Sequence, residues 1–567
     1  MIQAYDNYII SAIERLPQTQ EEFLQLKKSL SKQYKLPIPT NADMRDGYNK
    51  LVAKRAIKRS EAFEKILKTR GVRTQSGVAV VAVLTKPYPC PGNCLYCPTE
   101  KDMPKSYLSN EPAVMRAIDA KFDPYRQVQN RLRSLELNGH STDKIELIVM
   151  GGTFSYLPKA YQKKFITECF RAANDYPEKV KSEKLKVKSE EKLEKEQKRN
   201  EKAKHRIIGL TLETRPDYIN EEEILNFRNL GCTRVELGVQ SIFDDVLRLN
   251  RRGHDVASTI QATKMLKDAG FKLNYHMMPG LPGSTPRRDF AMFKALFSKG
   301  NFQPDMLKIY PTVVLKDSDL YKIWKKSQQK KNVQKNEIIH LPTTVNECIT
   351  LKNLIYKPLT DKQFEKLVLK IKNEAIVPYV RIARLVRDVP TTSIIAGPII
   401  SNLRQIIIPH SNCPCIRCRE VKNEYVTEEQ IILDRIDYDA SDGKEIFLQY
   451  VSPDKRKLFA LLRLRIPKRS LAPEKGAKLL EDVLPVLKNA AIIREVHTYG
   501  KLAKIDTKDK SSPQHIGLGK KLLKEAEHIA KEEFGLKKIV VISGVGVRGY
   551  YRKNGYRLQD TYMVKTL

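Results

Sequence analysis

Three cysteines on one short loop carry the first chemistry in this chain. Cys90, Cys94 and Cys97 stand in a C-x3-C-x2-C arrangement within KPYPCPGNCLYCPTE, residues 86–100, just after an apolar run over 78–84. Three thiolates can hold three irons of a four-iron cluster and leave the fourth iron open, unlike the four-cysteine sites of electron carriers. An open iron is a site for chemistry. The alternative is a zinc knuckle, which wants a fourth protein ligand close by. The nearest downstream cysteine or histidine is His140, so the loop itself offers none.

A second trio, Cys413, Cys415 and Cys418, forms a C-x-C-x2-C cluster preceded by His410. Three thiolates and one imidazole would close a tetrahedral structural zinc site. A second iron–sulfur cluster is a rival that the spacing does not exclude. Cys169, Cys232 and Cys348 are scattered and read as ordinary thiols. Six of nine cysteines in two tight clusters fit metal binding in a reducing compartment better than a disulfide framework.

The third chemical element lies near the C-terminus, where Gln514, Gly517 and Gly519 open a helix whose apolar stripe is Leu518, Leu522, Leu523, Ala526 and Ile529. Glycines let the backbone approach an anion, and a helix start presents unpaired N–H groups to a pyrophosphate. A strand, then Gly544-Val545-Gly546 and the tyrosines Tyr550 and Tyr551, follow it.

Positioning these groups calls for more than one domain, and 567 residues allow two to four. Short apolar runs over 77–84, 145–150, 207–212, 234–238, 272–277 and 306–310 alternate with helical segments. Six such units predict a parallel α/β sheet curled into a partial barrel, with the site at the carboxyl ends of the strands. The polar residues there are Gly152, Glu213, Arg215, Gln240, His276 and Lys308. A Glu213–Arg215 ion pair and a purely structural His276 are the bland alternatives. After about residue 432 further strands, over 458–464, 492–497, 538–543 and 556–564, flank the glycine-led helix and predict an α+β domain. The expected division is 1–75, 76–400, a cysteine-rich linker over 401–431, and 432–567. A Lys/Glu-rich stretch over 178–206 has almost no core face and predicts a dispensable surface insertion.

The net charge is +36, which attracts polyanions by counterion release. Basic residues outnumber acidic ones by fifteen to eight over residues 1–80, where helices are expected at 6–16, 21–33 and 44–69. In the third, Lys54, Arg55, Lys58 and Arg59 form a candidate nucleic-acid platform, against the default of a solvated face. Neither a membrane span nor a secretion signal is expected, which places the chain in the cytoplasm.

The thiol loop resembles that of the radical S-adenosylmethionine (radical SAM) enzymes, and the C-terminal segment resembles a GNAT-type acetyl-CoA-binding domain. Both on one chain, with the segments GGTFSYLP, GLTLETRPDYI, LGVQSIFDDVLRLNRRGH, MMPGLPGS, CPCIRCREV and ISGVGVRGYYRKNGYRLQDTYMVK, resemble the catalytic third-subunit family of Elongator, free-standing archaeal and bacterial forms included. The resemblance implies a (βα)6 partial barrel plus a GNAT domain, and an enzyme that builds a carboxymethyl group on C5 of the tRNA wobble uridine from acetyl-CoA. It implies a 4Fe-4S cluster on Cys90, Cys94 and Cys97, with SAM positioned by Gly152, Glu213, Arg215 and Gln240. Lys308 would orient substrate or shuttle a proton. Gln514, Gly517, Gly519 and Tyr550 or Tyr551 would hold the thioester, and the basic N-terminus would grip the anticodon stem-loop. An electron donor is required; a homodimer is left open. Two rival functions stand beside it: a protein lysine acetyltransferase braced by the cluster, and a non-catalytic RNA-binding scaffold.

Overall fold

The short apolar runs of the first two-thirds of the chain become strands of one parallel sheet. The computed structural model describes residues 2–68, 77–177, 192–330, 354–421, 429–468, 480–500 and 517–567. The strands are β1 (Ala79–Leu84), β2 (Lys144–Met150), β3 (Arg206–Thr214), β4 (Arg234–Gln240), β5 (Lys272–Met277), β6 (Met306–Ile309) and β8 (Arg381–Arg384), hydrogen-bonded in that order. Every pairing is parallel. β7 (Val314–Leu315) and β9 (Ile394–Ala396) form a separate antiparallel pair. The sheet therefore has one strand more than the six expected. The seventh, Arg-Ile-Ala-Arg, has too few apolar residues to announce itself.

Side-chain alternation along these strands separates packing from chemistry. Leu210, Leu212, Val235, Leu237, Val239, Leu273, Tyr275, Leu307 and Ile309 belong to the main apolar core. Their neighbours Glu213, Arg234, Glu236, Gln240, Asn274, His276 and Lys308 line a cavity on the other face. The same period that buries one row thus delivers a row of charges into the barrel.

The N-terminal helices α1 (Ile2–Glu14), α2 (Gln20–Tyr34), α3 (Asn41–Ala53) and α4 (Glu61–Ile66) enclose a core of their own built on Tyr8, Phe23, Tyr48 and Phe63. The single long helix expected over 44–69 is two. Arg55 takes a left-handed φ of 58°, and Ser60 caps α4 by accepting from the Phe63 N–H at 3.2 Å. Lys54, Arg55, Lys58 and Arg59 consequently sit on the connector, all exposed, with Arg59 paired to Glu64 at 2.9 Å.

The expected surface insertion also needs correction at its C-terminal end. Lys192–Asn200 is a helix, and Asn200, fully buried, accepts from the Ile207 N–H at 2.7 Å and donates to His205 O at 3.1 Å. Glu201 just beyond pairs with Arg548 and Arg552 of the C-terminal domain. This part braces β3 rather than decorating it. Residues 178–191 lie outside the described residues, as does Cys348.

The C-terminal sheet runs β10-β11-β12-β13-β14-β16-β15, from β10 (Ile432–Ala440), β11 (Gly443–Val451), β12 (Leu458–Pro467), β13 (Ala491–Thr498), β14 (Lys538–Val541), β15 (Arg557–Gln559) and β16 (Tyr562–Thr566). Only β13 and β14 are parallel, and they pair solely over Ala491–Ile493 and Ile539–Val541. β14 ends at Val541, while β13 runs on to Thr498. A bulge on β13 leaves Arg494 without a partner on β12, where Arg463 faces Glu495 and Leu464 faces Ile493. Its guanidinium enters the junction between the domains and binds Asp305, which is fully buried, and Glu445. Lys267, Arg463 and Arg465 complete that buried charge cluster. The junction fixes the C-terminal sheet against the barrel.

Candidate active site

The loop after β1 brings Cys90, Cys94 and Cys97 to one end of a cavity of about 1470 Å³ that also contains Glu213, Glu236, His276 and Lys308 and reaches Arg381, Glu420 and Tyr499. Tyr499 directly follows β13, so this space runs from the thiol loop to the C-terminal domain.

The three thiols fit a group larger than one ion. Among the described residues, only Cys413, Cys415 and Cys418 gather three such ligand atoms within 4.8 Å of one another. Tetrahedral zinc, with bonds near 2.3 Å to sulfur, needs that tight a triangle, so the second trio suits a single ion and the first does not. Burial pushes the Cys97 thiol up to about 11, with Cys94 adding to the shift. Metal coordination removes such a proton outright. A Cβ on Gly92 would lie 2.5 Å from Arg215 Nη1 and 3.6 Å from Cys94 Sγ, so a larger residue there would push the Arg215 guanidinium aside.

Polar atoms around the thiols await a ligand. Arg215 Nη1, Gln240 Oε1 and Tyr96 Oη are buried without a hydrogen-bond partner among the described atoms. Such atoms cost free energy unless something binds them. Gln240 holds a left-handed φ of 67° at the end of β4, and Gly152 a φ of 96° after β2, both where the chain turns past the cavity. Glu213 and Arg215 do not pair with each other. Arg215 forks onto Asp217 at 2.9 and 2.8 Å, while Glu213 accepts from Tyr107 at 2.9 Å and stands 3.5 Å from His276 Nδ1.

Glu236 is the hub of the cavity floor and was not evident from sequence. It accepts from Lys308, lies 2.9 Å from His276 Nε2, and accepts from Asn274 at 3.1 Å. Burial penalises its charge, yet Lys308 and His276 hold its carboxyl well below the ordinary range. Against the same burial, Glu236 holds the Lys308 ammonium above its usual value. Both therefore stay charged at neutral pH. Arg252, within the NRRGH segment, is a further cavity residue that sequence reasoning left unassigned, and buried His254 stands two residues on. Burial, with Arg252 and Arg215 nearby, pulls His254 down to about 3, so its ring is neutral.

In the second domain Gly517 caps the helix Leu518–His528 with a φ of 77°. Gly519, in its first turn, faces β13 and the following tyrosine: a Cβ there would lie 3.6 Å from Thr498 and 3.1 Å from the Tyr550 hydroxyl. The two tyrosines differ. Tyr550 is 41% exposed and Tyr551 is buried in the domain core. Gln514 lies outside the described residues. At the second cysteine trio, Lys372 donates to Cys418 at 3.3 Å, and exposed His410 is not part of the group. His410 ends the short turn Ile408–His410, eight residues before Cys418.

Comparison with known proteins adds the family. The Radical SAM superfamily profile matches residues 88–293. A protein named tRNA uridine(34) acetyltransferase from Methanocaldococcus infernus is 42% identical over 522 residues, 88% of each chain. Elongator complex protein 3 from Homo sapiens is 37% identical over 522 residues, covering 88% of this chain and 86% of the human one. The chain belongs to the Elongator complex protein 3 family. A solved structure of the archaeal Methanocaldococcus infernus Elp3, lacking residues 1–46, superposes with a TM-score of 0.67 at 38% identity and covers 87% of this chain and all of that one. The Elongator protein 3 fold accounts for the parallel half-barrel and the separate C-terminal sheet. Membership of the radical SAM superfamily supplies the 4Fe-4S cluster and SAM that the thiol trio and its orphaned neighbours fit. No helix among the described residues is long and apolar enough to cross a membrane.

Proposed function

We propose that this protein is a tRNA-modifying enzyme that builds a carboxymethyl group on C5 of the wobble uridine, taking the carbons from acetyl-CoA. The observation that supports it is the cavity that holds Cys90, Cys94 and Cys97 and reaches Tyr499, the residue after Thr498 of β13, which lies across from Gly519 at the start of the glycine-led helix. When bound, the cluster and SAM supply a carbon-centred radical, and a uracil C5–C6 double bond accepts radical addition where polar attack fails. The family names support tRNA uridine as the target.

Glu213, Arg215, Gln240 and the Gly152 turn orient SAM. Lys308, held charged by Glu236, orients substrate and is not free to act as a base. The N–H groups at Gly517 and Gly519 take the CoA pyrophosphate, with Tyr550 across from Gly519 and Gln514 contributing from upstream. Exposed Lys54, Arg55 and Lys58, with Arg59, grip phosphates of the anticodon stem-loop. Cys413, Cys415 and Cys418 hold zinc and clip the linker to the barrel. An external donor reduces the cluster.

The lysine acetyltransferase reading needs a free carboxylate beside the thioester. Glu495, on β13, is instead held by Arg463 at 2.9 Å and Lys272 at 3.0 Å. Release of 5′-deoxyadenosine, measured with tRNA and acetyl-CoA together and with each omitted, tests the proposal. Full yield requires both; no release under any condition refutes it.

A further inference from the structure

Arg252 is buried, 8% exposed, and among the described residues it has no carboxylate partner. Its guanidinium donates to Gly238 O from Nε at 3.2 Å and from Nη2 at 2.6 Å, and from Nη1 to Cys94 Sγ at 3.5 Å. A buried cation without an anion is costly. The anions within its reach are the thiolates of the cysteine loop. Two features of the fold hold it there. The helix Asp244–Leu249 ends in a Schellman closure, with Arg251 N donating to Arg248 O at 2.9 Å, Arg252 N to Leu247 O at 2.9 Å, and Arg251 at a left-handed φ of 52°. Opposite, Gly238 leaves the space: a Cβ at that position would intrude on Arg252 Nη2.

We propose that Arg252 is a positioning residue that raises the reduction potential of the cluster by a charge-assisted hydrogen bond to the Cys94 sulfur. It rests on the assignment of the cluster to Cys90, Cys94 and Cys97. One electron entering the cluster adds negative charge, and hydrogen bonds to the sulfurs and net charge set the potential of such clusters. A fixed guanidinium stabilises the reduced form more than the oxidised one. The residue thereby eases the electron transfer that must precede SAM cleavage.

The test is a redox titration of anaerobically reconstituted protein, followed by the EPR signal of the reduced cluster without SAM or tRNA. Arg252→Gln should retain iron and sulfide and move the midpoint to a more negative value by at least about 59 mV, a tenfold change in a one-electron equilibrium. Arg252→Lys, which keeps the charge, should recover most of that shift. Arg252→Gln with a full cluster and an unchanged midpoint overturns the proposal. Should Arg252→Gln fail to hold the cluster, Gly238→Ala decides, because it displaces the guanidinium without removing it: a more negative midpoint supports the role and an unchanged one overturns it. Wild-type protein that takes only zinc at the trio overturns the cluster assignment and this proposal with it.

Discussion

Glu236 on β4 stands 2.9 Å from His276 Nε2 on β5, and its same oxygen accepts from Lys308 on β6. Three adjacent strands thus place one carboxylate, one imidazole and one ammonium in contact at the cavity floor. Glu236→Gln removes the charge that fixes Lys308 while keeping the shape of the side chain. A misplacement of about 1 Å at a reacting centre costs about 10²-fold in rate. Steady-state tRNA modification by Glu236→Gln should fall by about that factor, with tRNA affinity unchanged. Wild-type turnover would remove this network from the chemistry.

Among the described residues no atom lies within 4 Å of a Cβ built on Gly517, but its φ of 77° disfavours other residues. Left-handed backbone costs a non-glycine residue about 1–2 kcal/mol, and asparagine tolerates it best. Gly517→Asn should therefore keep acetyl-CoA binding within a few-fold. Gly517→Glu sets a carboxylate where a pyrophosphate is expected and should weaken binding in calorimetry by more than about tenfold, the equivalent of 1.4 kcal/mol. Equal affinity for both variants would contradict a pyrophosphate site at this helix start.

Asp305 is fully buried between the domains, held by Arg494, Lys267 and Arg463. Burial opposes its charge, but these cations, Arg494 foremost, drive its carboxyl far below the ordinary range. A carboxylate depressed on folding contributes stability above its unfolded value, near 3.9, and that contribution is lost as pH falls through the folded value. Asp305→Asn leaves buried cations unmatched, at a cost of about 3–5 kcal/mol at pH 7. In denaturant melts the gap to wild type should stay level above about pH 5 and narrow progressively as pH falls below about 4. A gap that stays constant with pH would show that the charge of Asp305 is not what joins the domains.

Much of this site was legible in the sequence because cysteine spacing and strand-end position are local signals. The six strands expected in the barrel are all present, and the glycine-led helix begins within the expected segment. Long-range pairing was not legible. Glu236 and Arg252 look like any charge in a strand or turn until neighbouring strands show what they face. β8 and β10 are rich in charge and only partly buried, so neither shows the apolar run that marks the other strands. The connector holding Lys54 and Arg55 broke an apparently continuous apolar stripe, since a left-handed residue ends a helix without changing its periodicity.

The central claim is that carbons from acetyl-CoA reach the wobble uridine through a cavity shared by two domains. Anaerobically reconstituted protein, SAM, a reductant, tRNA and acetyl-CoA labelled in the acetyl carbons should be combined, and the tRNA digested for nucleoside mass spectrometry. The account predicts a labelled carboxymethyluridine that disappears on Cys94→Ser. Label found on protein lysines, with unmodified uridine in the tRNA, would contradict it.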